Sequence, residues 1–229
     1  MKNRILLVLD VSSRAEALHL VHSLHGLTGM FKIGLQLYTA EGPSLVREII
    51  AQGANVFLDL KFHDIPNTVR TAAVEAAKLG VSMMTIHTAG GRAMMEAVVK
   101  DLAAFGKKKP MVVGVTVLTS LTNAGLEETG IHTPMDEQVL RMARLAESCG
   151  LDGVVCSPQE IQMIRRWVAP NFKIVTPGIR MPGQAADDQQ RTAAPSDAIA
   201  AGADYIVVGR AITNASDPRA ALEQIIQSL

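Results

Sequence analysis

Aromatic residues make up only 3% of this sequence, two Tyr, five Phe and one Trp among 229 residues. That is too few for the stacking platforms on which single-stranded nucleic acids are held. Neither charge is in excess: 22 Lys and Arg stand against 22 Asp and Glu. The basic surplus that displaces counterions from a nucleic-acid backbone is therefore missing. Cysteine is nearly absent. Cys149 and Cys156 are seven positions apart, match neither a CxxC nor a zinc pattern, and make no disulfide framework; they read as small buried hydrophobes. Long apolar runs are lacking as well. After Met1-Lys2-Asn3-Arg4 the stretch Ile5 to Leu9 stops at Asp10, short of the roughly 7–15 apolar residues of a signal peptide or the ~20 of a membrane span. The expected location is the cytoplasm, with no membrane or nucleic-acid partner. What the chain does have is globular composition, 48% hydrophobic and 19% charged, enough to bury roughly 70% of its extended surface without staples.

Short apolar runs rich in β-branched residues recur at Ile5–Leu9, Phe31–Ile33, Val56–Leu60, Met83–Ile86, Met111–Val115, Gly153–Val155, Lys173–Val175 and Tyr205–Val208. Their continuous apolar character is that of strands buried on both faces in a parallel sheet. Helical spacing fills the intervals. Leu45, Val46, Ile49 and Ile50 follow Gly42-Pro43, Val69, Ala72, Ala73, Ala76 and Ala77 follow Pro66, and Leu222, Ile225, Ile226 and Leu229 follow Asp217-Pro218, each suited to a capped start with proline in the first turn. Eight alternating units predict an α/β fold, a single (β/α)8 TIM barrel over residues 1–229. The rival, a doubly wound open sheet, usually shows a glycine-rich fingerprint after its first strand. Here that strand ends Leu-Asp-Val-Ser-Ser.

In such barrels the active site forms at the C-terminal ends of the strands. Asp10 ends the first, Lys32 lies on the second, and the third ends Asp59-Leu60-Lys61-Phe62-His63-Asp64. The fourth ends in His87, and the fifth runs into Thr116, Thr119 and Ser120. Residues i and i+2 of a strand share a face. With Leu60 toward the helices, Asp59 and Lys61 point into the barrel mouth. Plainer readings stand beside these: Asp10 as a turn residue, Asp59 and Lys61 as a structural ion pair, Asp64 facing the next helix N-terminus, His87 as a hydrogen-bonded rim residue. His63 beside Asp64 has no accompanying ligand cluster, so no metal is expected. Lys107-Lys108-Lys109 reads as a solvated turn on the opposite face.

Strand seven leads into Thr176-Pro177-Gly178-Ile179-Arg180 and strand eight into Gly209-Arg210, the loops where these barrels commonly hold phosphate. Gly209 lets backbone N–H groups approach an anion, and Arg210 supplies a charge-assisted contact. The long polar stretch from Arg180 to Pro195 is expected to be a lid over the phosphate. Ser157-Pro158-Gln159-Glu160 matches a capping box and marks a helix start.

Together these motifs resemble the orotidine 5'-phosphate decarboxylase family over nearly the whole chain. The most specific piece is Asp59-Leu60-Lys61-Phe62-His63-Asp64-Ile65-Pro66-Asn67-Thr68. Asp10, Phe31-Lys32-Ile33-Gly34, Val115-Thr116-Val117-Leu118-Thr119-Ser120, Thr176-Pro177-Gly178-Ile179-Arg180 and Val208-Gly209-Arg210 follow the family order. The resemblance implies cofactor-free conversion of orotidine 5'-phosphate to UMP and carbon dioxide, the last step of de novo UMP synthesis. It implies that Lys61 protonates C6 of the pyrimidine and that Asp59 sits near the departing carboxylate, with Lys32 and Asp64 completing an alternating charge network. By the same resemblance Asp10 and Lys32 hold ribose hydroxyls, Thr119 contacts the base, and Arg180, Gln189, Gly209 and Arg210 bind phosphate, Gln189 bridging toward the base. Asp64 and Thr68 are implied to reach the neighbouring active site of a homodimer. Thr88, in His87-Thr88-Ala89-Gly90-Gly91, departs from the alanine usual in the family and is expected to leave the chemistry unaffected.

The chemistry has its own demands. Removing carbon dioxide from an sp² carbon leaves an electron pair with no adjacent carbonyl sink, and a preorganised cation stabilises it. A lysine between two carboxylates is expected to keep its proton at neutral pH, which disfavours a Schiff-base lysine. Three alternatives remain: a metal-dependent sugar-phosphate decarboxylase or aldolase sharing the Asp-x-Lys-x-x-Asp strand, a Schiff-base aldolase, and a non-catalytic phosphate-ligand sensor.

Overall fold

The computed structural model describes residues 1–181 and 191–229. Eight parallel strands pair in chain order and close on themselves: β1 (Ile5–Val8), β2 (Met30–Gly34), β3 (Val56–Phe62), β4 (Met83–His87), β5 (Met111–Val115), β6 (Gly153–Val155), β7 (Lys173–Thr176) and β8 (Tyr205–Val208), the last pairing with β1. The helices are α1 (Arg14–Leu24), α2 (Leu35–Ala51), α3 (Pro66–Lys78), α4 (Gly91–Leu102), α5 (Asn123–Glu128), α6 (Met135–Ser148), α7 (Ile161–Arg165), α8 (Pro195–Ala201), α9 (Arg210–Thr213) and α10 (Pro218–Ser228). The (β/α)8 barrel expected from the alternation is the fold, and the open sheet is excluded.

Side-chain alternation builds two apolar layers. Ile5, Leu7 and Leu9 turn outward into the large core between strands and helices. Leu6 and Val8 turn inward, where they meet Phe57, Met83, Val113, Val175 and Val207. Strands covered on both faces have no polar side to show, so their sequences read as unbroken apolar runs. The barrel interior is a packed core, and only its upper end is left for a ligand.

Local chemistry starts the helices where expected. Ser13 caps α1 by accepting from the N–H of Glu16, and the Asp217 carboxylate accepts from the N–H groups of Arg219 and Ala220 at 3.0 Å. Pro66, Pro195 and Pro218 occupy first turns, where a missing N–H costs no helical bond. The second helix is broken at Gly42, whose φ of +67° suits glycine alone among common residues. Pro43 then opens the segment that buries Leu45, Val46 and Ile49.

The structure departs from strict one-to-one alternation at two places. Two helices follow β5, α5 and α6, and two follow β8, α9 and α10. The Lys107-Lys108-Lys109 run is also not uniformly solvated. Lys109 is half-buried and bonds both oxygens of Asp152 at 2.9 and 3.0 Å, while that carboxylate also accepts from the Val112 N–H at 2.8 Å. Its role is to tie the start of β5 to the loop before β6. Cys149 and Cys156 are buried and unpaired with each other. No described helix is long and apolar enough to cross a membrane.

Candidate active site

The strand ends open into a cleft of about 900 Å³, counting the part open to solvent. Asp10, Lys32, Asp59, Lys61, Thr119, Arg180, Gly209 and Arg210, all anticipated from sequence, line it. Val8, Phe57, Val115, Val155 and Val207 give it an apolar floor and walls. Its four basic side chains outnumber its two acidic ones, a balance that favours an anionic ligand.

At one end sits a compact ionic array. The Lys61 ammonium donates to both oxygens of Asp59 at 3.0 Å, and the Lys32 ammonium lies 3.2 Å from the same carboxylate. Gly34, at the end of β2, makes room for this: a Cβ there would stand 3.1 Å from the Lys32 ammonium and 3.9 Å from Asp10. Burial of Asp59 acts to raise its pKa, but the two ammonium groups and the hydrogen bonds from Lys61 and Thr85 outweigh it and hold the carboxyl below its usual range. Asp59 is therefore a carboxylate throughout the neutral range.

The route by which Lys61 reaches the cleft is not simple alternation. Its φ of +50° is the sole positive value for a non-glycine residue among the described residues, a conformation costing about 1–2 kcal/mol. The register between β3 and β4 shifts there: Leu58 is level with Met84 and Phe62 with Ile86. A bulge thus re-aims the lysine, as bulges beside active sites do. The Lys61 N–H donates to the Thr85 hydroxyl at 2.8 Å.

Within one chain three members of the expected alternating network are together: Lys61 and Lys32 both bond the Asp59 carboxylate, and Asp64 stands apart from them. Beyond the bulge the chain turns outward toward α3. Asp64 and Thr68 are exposed and do not line their own cleft; Asp64 instead accepts from the N–H of Ile65 at 2.6 Å. Gln189, with Gln184 and Gln190, lies outside the described residues, as does most of the expected lid.

The opposite end is formed by Pro177, Gly178 and Arg180 after β7, and by Gly209 and Arg210 after β8. A Cβ at Gly209 would lie 3.2 Å from the Val8 side chain, so the bare backbone leads into α9 without the few tenths of an ångström of adjustment that a side chain would ask of Val8. Between the two ends Thr119 faces the cleft. Thr116 is buried and donates to the Val155 carbonyl at 2.9 Å, which makes it part of the scaffold.

Sequence reasoning passed over Arg191 and gave Glu160 only a capping role. Glu160 does accept from the Ser157 N–H at 2.8 Å. Its other oxygen also pairs with Arg191 in a buried ion pair. Arg191 donates to the carbonyls of Thr119 and Leu118 at 3.4 Å, linking the chain after residue 190 to the loop that carries Thr119. His87 stacks on His63 with ring centroids 5.0 Å apart, and accepts from the Ala89 N–H at 3.3 Å. Burial, then the nearby His63 and Lys61, push its pKa down to about 4. Among the described residues no group of three or more His, Cys, Asp or Glu is placed to hold a metal.

A sequence profile of the family described as Orotidine 5'-phosphate decarboxylase / HUMPS family matches residues 3–225. A protein of Syntrophotalea carbinolica named orotidine 5'-phosphate decarboxylase is 48% identical over 232 residues, spanning 100% of this chain and 95% of that one. One of the same name from Vibrio cholerae is 46% identical over 226 residues, spanning 99% of this chain and 98% of its own. The crystal structure of orotidine 5'-phosphate decarboxylase from Lactobacillus acidophilus matches with a TM-score of 0.86 at 38% identity, over 98% of this chain and 97% of that one. Agreement that runs the length of the chain, in sequence and in fold alike, leaves one assignment: the protein belongs to the orotidine 5'-phosphate decarboxylase / HUMPS family.

Proposed function

We propose that this chain decarboxylates orotidine 5'-phosphate to UMP and carbon dioxide without a cofactor, the last step of de novo UMP synthesis. The observation that carries the reading is the Lys61 ammonium, held 3.0 Å from Asp59, in the same cleft as Arg180 and Arg210. A substrate anionic at both ends, phosphate and carboxylate, suits that layout. Arg180, Gly209 and Arg210 take the phosphate, Asp10 and Lys32 the ribose, and Thr119 the base; Gln189 is assigned to the phosphate as well.

In the reaction the bond from C6 to the carboxylate breaks, its electron pair stays on C6, and carbon dioxide leaves beside Asp59. Lys61 faces the developing charge and delivers a proton to C6. One unit charge at about 4 Å and an effective dielectric of about 20 supplies roughly 4 kcal/mol. Enzymes lower barriers by about 8–23 kcal/mol, so the lysine cannot act alone. Binding energy from the remote phosphate is used to align the ionic array in the transition state. A non-catalytic phosphate binder has no use for three charges packed together at the bottom of a cleft, where desolvation opposes them.

The reading extends to a cytoplasmic homodimer, each chain a single catalytic domain, in which Asp64 and Thr68 complete the partner's site. Their exposure outside their own cleft supports this, as do two apolar side chains left exposed after β2 and β3, Leu35 and Ile65. The deciding experiment follows loss of orotidylate absorbance in the presence of EDTA. Turnover equal to that without chelator is expected. Activity on a sugar phosphate that EDTA abolishes, or borohydride trapping of a carbonyl substrate at Lys61, would replace the proposal with an aldolase-type reaction.

A further inference from the structure

We propose that Thr85 is a positioning residue for the decarboxylation, its one hydroxyl fixing the Asp59 carboxylate and the bulged backbone of Lys61 at the same time. Thr85 is fully buried on β4 and does not line the cleft, so it acts through its neighbours. Its oxygen accepts from the Lys61 N–H at 2.8 Å and donates its proton to Asp59 Oδ1 at 3.0 Å. A hydroxyl has a single proton, and here its direction is set by the carboxylate.

The strand register explains why a side chain takes on this task. Between the aligned pairs Leu58 with Met84 and Phe62 with Ile86, the residues Asp59, Leu60 and Lys61 of β3 stand opposite Thr85 alone. The regular ladder cannot continue across that mismatch. The Thr85 hydroxyl receives the Lys61 N–H in its place and holds the residue at its positive φ. Because the Lys61 ammonium returns to the same Asp59, the three groups form a closed loop: hydroxyl to carboxylate, carboxylate to ammonium, lysine backbone to hydroxyl. Take out the hydroxyl and a buried carboxylate oxygen and a backbone N–H lose a common partner, while the phosphate contacts proposed for Arg180, Gly209 and Arg210 stay as they were. Geometry at the reacting end should loosen and substrate capture should not.

This inference rests on the decarboxylase reading. The test compares Thr85→Val, which keeps the shape and removes the hydroxyl, with Thr85→Ser, which keeps the hydroxyl. Thr85→Val should lower kcat by roughly ten- to a hundredfold with KM changed by less than about threefold. Thr85→Ser should stay within about threefold of the parent in both. The acid limb of the kcat/KM profile should move to higher pH in Thr85→Val, because Asp59 loses a donor while still facing Lys32 and Lys61, with Asp10 beyond Gly34. Should the valine variant fail to fold, Thr85→Cys, a poor donor and acceptor of similar size, should lose at least fivefold in kcat at unchanged KM. Parent-like kcat in the folded valine or cysteine variant, or equal loss in the serine variant, would overturn the role. Parent protein without orotidylate decarboxylation would instead sink the reading beneath it.

Discussion

On the proposed mechanism Lys61→Ala removes both the cation facing C6 and the proton delivered to it, and it leaves Asp59 with Lys32 as its remaining ionic partner. Loss of a charge contact worth roughly 4 kcal/mol corresponds to about a thousandfold in rate, and loss of the proton donor adds to it. The variant is expected to fold, to bind UMP in a titration, and to fall at least about a thousandfold in single-turnover decarboxylation. Turnover within tenfold of the parent would remove Lys61 from the chemistry. Asp59 and Lys61 were legible because two charged residues close an apolar strand two positions apart. Thr85 was not. In Met83-Met84-Thr85-Ile86-His87 a threonine reads as an ordinary β-branched strand residue, and only the shifted register with β3 turns its hydroxyl toward Asp59. Arg191 was hidden for a related reason: its partners, Glu160 and the carbonyls of Leu118 and Thr119, come from distant parts of the chain.

At the scale of elements, strand content and order followed from the apolar runs, while the additions at their ends did not. Neither α5 nor α9 buries enough residues to leave a helical period, since α5 contributes Leu126 alone to the core and α9 Ala211 and Ile212. Thr88 shows how the end of an element accommodates a buried hydroxyl. It is buried, donates to the Val115 carbonyl at 2.6 Å, and fits because Gly114 presents no side chain, a Cβ there standing 2.5 Å from the threonine methyl. The end of β4 also carries a pH dependence. His87, with a pKa pushed down to about 4 by burial and by His63 and Lys61, is neutral in the fold at pH values where the unfolded chain binds a proton. Because the unfolded state takes up more protons, stability is full above about pH 6.5 and declines as pH falls toward 4. The slope from this group is at most about 1.4 kcal/mol per pH unit, and its partial exposure cuts that to a fraction. Urea midpoints measured from pH 7.5 to 4.5 should therefore fall less steeply in His87→Asn than in the parent. An identical slope in the two proteins would show that His87 titrates normally.

For the whole molecule, closure of the barrel brings the ends of β1, β2, β3, β5, β6, β7 and β8 to one cleft, which is why residues from Asp10 to Arg210 could be assembled from motif order along the sequence. What order cannot give is which residues serve their own chain. The Asp59-to-Thr68 motif reads as one unit, yet the bulge at Lys61 divides it: Asp59 and Lys61 turn into the cleft, whereas Asp64 and Thr68 stay exposed beyond it. Ile65 lies between those two, 66% exposed, an apolar side chain that gains by leaving water. If the exposed half of the motif completes a second chain's site, defects in the two halves belong to different sites in a mixed dimer. Asp64→Ala and Lys61→Ala homodimers should each be severely impaired. After dissociation and remixing in equal amounts, half of the dimers formed are mixed. Each mixed dimer holds one site with Lys61 from one chain and Asp64 from the other, and one site lacking both. A quarter of all sites in the mixture is then intact, and about 25% of parent activity should return. Activity that stays at the level of the separate variants, in a sample shown by mass spectrometry to contain mixed dimers, would mean that each chain builds its site without Asp64 from its neighbour.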